Sequence, residues 1–244
     1  MRLTLRGALG AAFILAMCAL CVRLGFWQLD RLEQRRARNA VVLAGMSQSP
    51  RPVDAALAAE MRRDPERLVY RRVTARGRYL AEGEMVLRGR VEAGSPGVHL
   101  ATPLLLEGGG VLLVNRGWVP APDASTPRER PAPPAGTVTV SGILQLVPVT
   151  EDLGSRSVSP RGDTTYRRLD LAAARGRVPH PVLPLYLQLL PDSGAARTLP
   201  VAVPPPPLDE GSHLGYAIQW FSFALIGIIG LAILLRRGGR NEMR

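Results

Sequence analysis

His213, Tyr216, Trp220, Phe223 and Gly227 recur at steps of three and four residues. At 100° per residue they fall within a stripe of roughly 80° on one helix face. An imidazole at the rim of such a stripe can ligate a metal, the aromatic rings offer flat apolar surface, and the glycine leaves space beside them. The same residues have a plainer use, in which His213 caps a helix that starts at a membrane interface and Tyr216 and Trp220 are interfacial anchors. Cys18 and Cys21 have the CxxC spacing of redox and metal sites. No His or acid flanks them and their surroundings are apolar, so packing as small buried hydrophobes is expected. A copper site there would lack the Met or His cluster that soft copper takes. His99 sits in a strand pattern beside Gly97, and His180 lies between Pro179 and Pro181, so both are expected to be structural. With no GxSxG, P-loop or HExxH motif, no acid, base and nucleophile assemble, and the chain is not expected to be an enzyme.

The elements that would position the stripe are apolar ends. Residues 8–22 carry no charge, and the run continues past Arg23 to residue 29. Together this is long enough to cross a bilayer, about 33 Å at 1.5 Å per residue. Arg23 can snorkel and Trp27 falls at the interface. A cleaved signal peptide is the competing reading, since Arg2 and Arg6 precede the apolar core. The poor small-x-small match at residues 19–21, and Ala8, Ala12 and Ala16 at helix-packing spacing, favour an anchor. Residues 216–235 form the stronger candidate span, closed by Arg236, Arg237 and Arg240. Acids at Asp209 and Glu210 before it and arginines after it place the C-terminus in the cytoplasm by the positive-inside rule. Arg31, Arg35, Arg36 and Arg38 oppose this assignment, but long loops translocate largely regardless of charge. The expected organisation is a tail and first transmembrane helix over 1–29, an extracytoplasmic domain over 30–212, a second transmembrane helix over 213–235, and a basic cytoplasmic tail over 236–244.

Formal charge is +11, and all 31 basic residues are Arg, which reads as base composition more than as chemistry. Residues 30–212 hold 24 Arg against 19 acids. That is no nucleic-acid footprint, and Arg71, Arg72, Arg76 and Arg78 lie in an alternating segment without interleaved aromatics. Residues 30–43 continue the first helix and 54–63 form a second, N-capped by Asp54. Strands are expected over 68–79, 84–90, 98–106, 111–119, 137–146 and 185–190, with Gly108-Gly109-Gly110 as a hairpin turn. Residues 126–136 read as a Pro-rich loop, and 204–207 as a stiff spacer. The fold class is therefore α+β, with two transmembrane helices flanking a mainly antiparallel-β extracytoplasmic domain that carries short helices.

Three segments become specific in combination. They are Gly25-Phe26-Trp27-Gln28 with Arg31-Leu32 after it, Val114-Asn115-Arg116-Gly117-Trp118-Val119-Pro120, and His213-x-x-Tyr216-Ala217-x-Gln219-Trp220-Phe221. In this order and placement they resemble the Surfeit locus protein one family, assembly factors of haem-copper cytochrome c oxidase. Gly97-Val98-His99-Leu100-Ala101-Thr102-Pro103-Leu104 is also similar to that family, whereas 121–135 and 151–163 depart from it. The resemblance implies a non-enzymatic chaperone in a bacterial inner membrane. Such a protein would bind haem A and help deliver it to, or stabilise it in, oxidase subunit I, with haem A synthase as a further partner. On that reading His213 is the iron ligand, Tyr216 and Trp220 face the porphyrin, and Trp27 and Gln28 line the facing helix. Trp118 with Arg116 would present an interface loop. Arg116 would pair with a haem propionate or a partner carboxylate, or else close a strand-end salt bridge. The alternative from another class is a general membrane-tethered scaffold that binds periplasmic proteins without haem.

Overall fold

Charged residues do not end the first helix, because Arg, Glu and Gln are good helix formers. In the computed structural model, which describes residues 5–148, 156–191, 198–205 and 207–241, helix α1 runs unbroken over Leu5–Ser47. After it come β1 (Arg51–Pro52), α2 (Ala55–Arg63), β2 (Arg72–Tyr79), β3 (Met85–Glu92), β4 (Ser95–Leu106) and β5 (Val111–Pro120). The chain continues through β6 (Thr137–Leu146), β7 (Arg156–Val158), β8 (Thr164–Tyr166), α3 (Leu171–Arg175), β9 (Val182–Leu189) and α4 (His213–Asn241). It divides into two compact units, Met1–Val41 with Leu208–Arg244, and Val42–Pro207.

The first unit is a helix pair. Both α1 and α4 contain windows long and apolar enough to cross a membrane. Small residues let the two backbones approach. A Cβ on Gly25 would come within 2.6 Å of the Phe221 ring, and one on Gly227 within 2.6 Å of the Cys18 sulfur. Phe26 meets Phe221 edge-on at 5.4 Å between centroids. Cys18 and Cys21 are free and buried with Ala224, as their reading as small hydrophobes requires. The contact uses residues 14, 18, 21 and 25 of α1. Ala8, Ala12 and Ala16, expected to mediate close packing, are instead exposed.

In the second unit β-branched and aliphatic residues alternate. Along β5, Val111 and Leu113 enter one apolar cluster while Leu112 and Val114 enter another, the period of two that a strand buried on both faces imposes. Strand order is β1-β2-β6-β9-β5-β4-β3-β8-β7, and β2 also pairs with β4. Strands β2, β6, β9, β5 and β4 therefore close into a five-stranded ring. Its interior holds Val73, Ala75, Leu104, Leu112, Val114, Leu144, Leu185 and Leu187, and α2 adds Leu57, Ala58 and Met61. Asp54 caps α2 as expected, accepting from the Leu57 N–H at 2.7 Å. Where β2 meets β4, a Cβ on Gly77 would collide with the Leu105 carbonyl, so glycine is what permits the closure.

Most pairings are antiparallel, as expected. However, β5–β9, β1–β2 and β3–β8 are parallel. The Gly108–Gly110 turn joins β4 to β5, with Gly109 and Gly110 at positive φ. The expected strand over 68–79 begins only at Arg72, because Pro65–Leu68 forms a 3₁₀ turn and Tyr70 takes φ 66°.

Candidate functional site

Two of the three motif segments meet on the helix pair. At the start of α4, His213 Nδ1 lies 2.9 Å from Gln28 Oε1. An amide oxygen can only accept, so Nδ1 carries the proton and Nε2 keeps a free lone pair. Gln28 is 9% exposed, held in place by the helix contact around Gly25. A Cβ on Gly211 would stand 3.7 Å from His213 Nε2. The glycine takes φ 68°, so the chain turns tightly beside the ring with no side chain between. Below this, Arg36 binds Glu210 through two 2.8 Å contacts, Arg35 meets Asp209 Oδ2 at 3.2 Å, and Asn39 donates to the Leu208 carbonyl at 2.9 Å. These contacts lie at the surface, where solvent screens each of them, but together they tie the approach to α4 against α1.

The rest of the predicted stripe is divided. Tyr216, one turn after His213, is exposed, as is Trp27, over whose ring the Arg31 guanidinium sits at 5.4 Å. Trp220 instead packs partly against the Cys18, Cys21 and Ala224 cluster and meets Phe223 edge-on at 6.0 Å. The space expected beside Gly227 is filled by Cys18. A porphyrin face running down to Gly227 is therefore corrected. The lower stripe is helix-packing surface, since small residues facing a partner helix are the means of close approach.

The third segment serves the interior of the β domain. Leu100 pairs with Gly117 and Ala101 with Asn115, which leaves Arg116 as the extra residue of a bulge, and a bulge re-aims its side chain. Arg116 is buried. It donates to Glu84 Oε2 at 2.7 Å, Thr102 Oγ1 at 2.9 Å and the Pro131 carbonyl at 2.7 Å. Thr102 in turn donates to the same carboxylate oxygen at 2.7 Å. The expectation of a presented Arg116 gives way to the salt bridge, because its donors are engaged inside the fold. Burial pushes the nearby Tyr79 hydroxyl up to about 12, against the pull of Arg116.

Trp118, expected on an interface loop, lies within β5 and is 9% exposed. Its ring covers Gly97, where a Cβ would collide with Nε1, and its backbone bridges Val201. Its Nε1–H has no partner among the described residues. Sequence reasoning missed Glu84 and Thr102, whose distance along the chain from Arg116 gives no local signal. It also missed Asn115, which meets His99.

The comparisons agree with this architecture. The sequence profile of the SURF1 family matches residues 15–225. An uncharacterised SURF1-like protein of Mycobacterium bovis is 29% identical over 223 residues, covering 91% of this chain and 80% of that protein. SURF1-like proteins of Caenorhabditis elegans (25% identical, 93% of this chain and 74% of that one) and Monosiga brevicollis (28%, 90% and 85%) are similar over nearly the same extent. A match that runs from within the first apolar helix through the β domain into the second makes the chain a member of the SURF1 family, known as a cytochrome c oxidase assembly family.

Proposed function

We propose that this protein holds haem A during maturation of cytochrome c oxidase, receiving it from haem A synthase and delivering it to, or stabilising it in, subunit I. The observation that carries this is the His213–Gln28 pair. Metal-ligating histidines commonly donate their second ring N–H to an oxygen acceptor, which fixes the tautomer and orients the ligating nitrogen. Here Nδ1–H donates to Gln28 Oε1, and position 211 beside Nε2 carries no side chain. The donor set fits a haem iron. Tyr216 supplies flat apolar surface on the same helix face, and Trp27 adds a further exposed ring. Bound haem A would bring its own iron chemistry, so the protein's part is ligation, orientation and shielding.

The same proposal places the chain in a bacterial inner membrane with both termini cytoplasmic and the β domain outside. Pairing of Arg35 and Arg36 with Asp209 and Glu210 supports that orientation. It offsets the arginines after the first span that would otherwise favour the cytoplasm.

The test is the absorption spectrum of the full chain purified after co-expression with haem A synthesis. A Soret band is expected from the parent protein. It should be lost or shifted in His213→Ala with membrane insertion intact, and haem affinity should fall about 10–100-fold in Gln28→Leu. An unchanged spectrum and haem stoichiometry in His213→Ala would remove His213 as the ligand. A parent protein without a Soret band would leave the scaffold that never touches haem.

A further inference from the structure

On the outer side of the ring, Leu87, His99, Asn115 and Gln188 come from four neighbouring strands, and beside the bulge the Asn115 side chain reaches diagonally to His99. Leu87 pairs with His99, and Asn115 with Gln188. They floor a cavity of about 300 Å³, whose walls include Arg90, Arg168 and Tyr186. The polarity of this cavity is set by one chain of hydrogen bonds. The Gly117 N–H donates to Asn115 Oδ1 at 3.2 Å, which turns Asn115 Nδ2 toward His99 Nδ1 at 3.3 Å. Nδ1 is therefore the acceptor, and His99 Nε2 carries a proton that it can donate. Gln188 Nε2 is already engaged with the carbonyls of Val203 and Pro204 at 3.2 and 3.0 Å.

Two guanidiniums complete the walls. Arg90 donates to the Arg167 carbonyl at 2.8 Å, a neutral acceptor, and Arg168 is exposed at the mouth. The ion pairs of Glu84 with Arg116 and of Asp163 with Arg130 engage other arginines of the domain. Burial pulls the Arg90 guanidinium below its ordinary range, with Tyr186 opposing and the Arg168 charge adding to the effect. Two like charges converging on a part-buried cavity are costly unless an anion joins them.

We infer that this cavity binds a small oxyanion carrying two negative charges, a phosphate or a dicarboxylate, between Arg90 and Arg168 with His99 Nε2–H as a further donor. This goes beyond the haem reading and does not depend on it, since every residue involved belongs to the β domain.

The test is calorimetric titration of the full chain in detergent, in low-salt buffer at neutral pH, with inorganic phosphate and separately with succinate. One-site saturable binding of at least one probe is expected, and the probe that binds identifies the class. Arg168→Gln, a change at an exposed side chain that leaves the fold intact, should weaken it about tenfold or more. Arg72→Gln, an exposed cation elsewhere on β2, should leave it unchanged. Failure of both probes to saturate, or equal weakening by the two substitutions, would overturn the site.

Discussion

Replacing Glu84 with Ala removes one half of the buried pair on which the bulge at Arg116 depends. The side chains of Arg116 and Glu84 are 5% and 9% exposed, so little solvent screening offsets the loss. Breaking such a pair by deleting one partner costs about 3–5 kcal/mol, because the remaining charge stays buried. Thr102 and the Pro131 carbonyl still accept from Arg116, which places the expectation near 3 kcal/mol. For a domain of this size that corresponds to a midpoint lowered by roughly 6–12 °C. The double substitution Glu84→Leu with Arg116→Met should recover most of the loss, since well-packed apolar replacements of an ion pair are often neutral. Urea and thermal unfolding of Glu84→Ala, Glu84→Leu, Arg116→Met and the double variant, followed by near-ultraviolet circular dichroism, measures both effects and the coupling between them. A Glu84→Ala loss below about 1 kcal/mol, or a double variant as unstable as the sum of the singles, would refute the buried-pair account.

His99 supplies a pH dependence. Burial, with the Arg90 charge, holds it at about 4 against an ordinary 6.5. The unfolded chain therefore binds the extra proton first, and stability is complete above about pH 6.5 and falls as pH drops toward 4. The ceiling on that loss is about 3 kcal/mol, reduced to roughly 1–2 by partial exposure. His99→Gln should flatten the stability profile between pH 6.5 and 4, and an unchanged profile would show that another group titrates. Gly97→Ala should destabilise by about 2–3 kcal/mol, because the Val119 carbonyl as well as the Trp118 ring stands where the methyl group must go. A loss under about 0.5 kcal/mol in urea unfolding would contradict that packing.

The apolar ends, the Asp54 cap and most strands were legible because each is a local pattern: a long uncharged run, an acid before a helix, or alternation closed by glycines. Strand 137–146 coincides with β6, where Thr, Val and Ser alternate plainly. The short elements β1, β7, β8 and α3 were not foreseen, since two to five residues are too few to show a period. Part of the poorly matching stretch 151–163, residues 151–155, lies outside the described residues. The ring closure of β2 on β4 has its only hint in Gly77, and nothing in a single sequence says which backbone a glycine must approach. The same holds at Gly227. Its spacing was read as room for a ligand, whereas the room belongs to Cys18 of the other helix. Arg116 shows a further limit. Alternation assigns faces until a bulge shifts the count by one, and the residue with the most recognisable chemistry is the one the bulge displaces.

The closed ring also sets an order of events during biosynthesis. Four of its strands are made early, but β9 pairs with both β5 and β6, so the ring stays open until β9 emerges. Only residues 190–212 separate β9 from α4, a stretch that at 5–20 residues per second takes about 1–5 s to translate. Sheets built on such distant pairings close in milliseconds to seconds. The last strand and the last helix thus leave the ribosome almost together. Closure of the ring and pairing of α4 with α1 become near-simultaneous final steps, and a nascent chain halted before β9 has neither a sealed sheet nor the helix that carries His213.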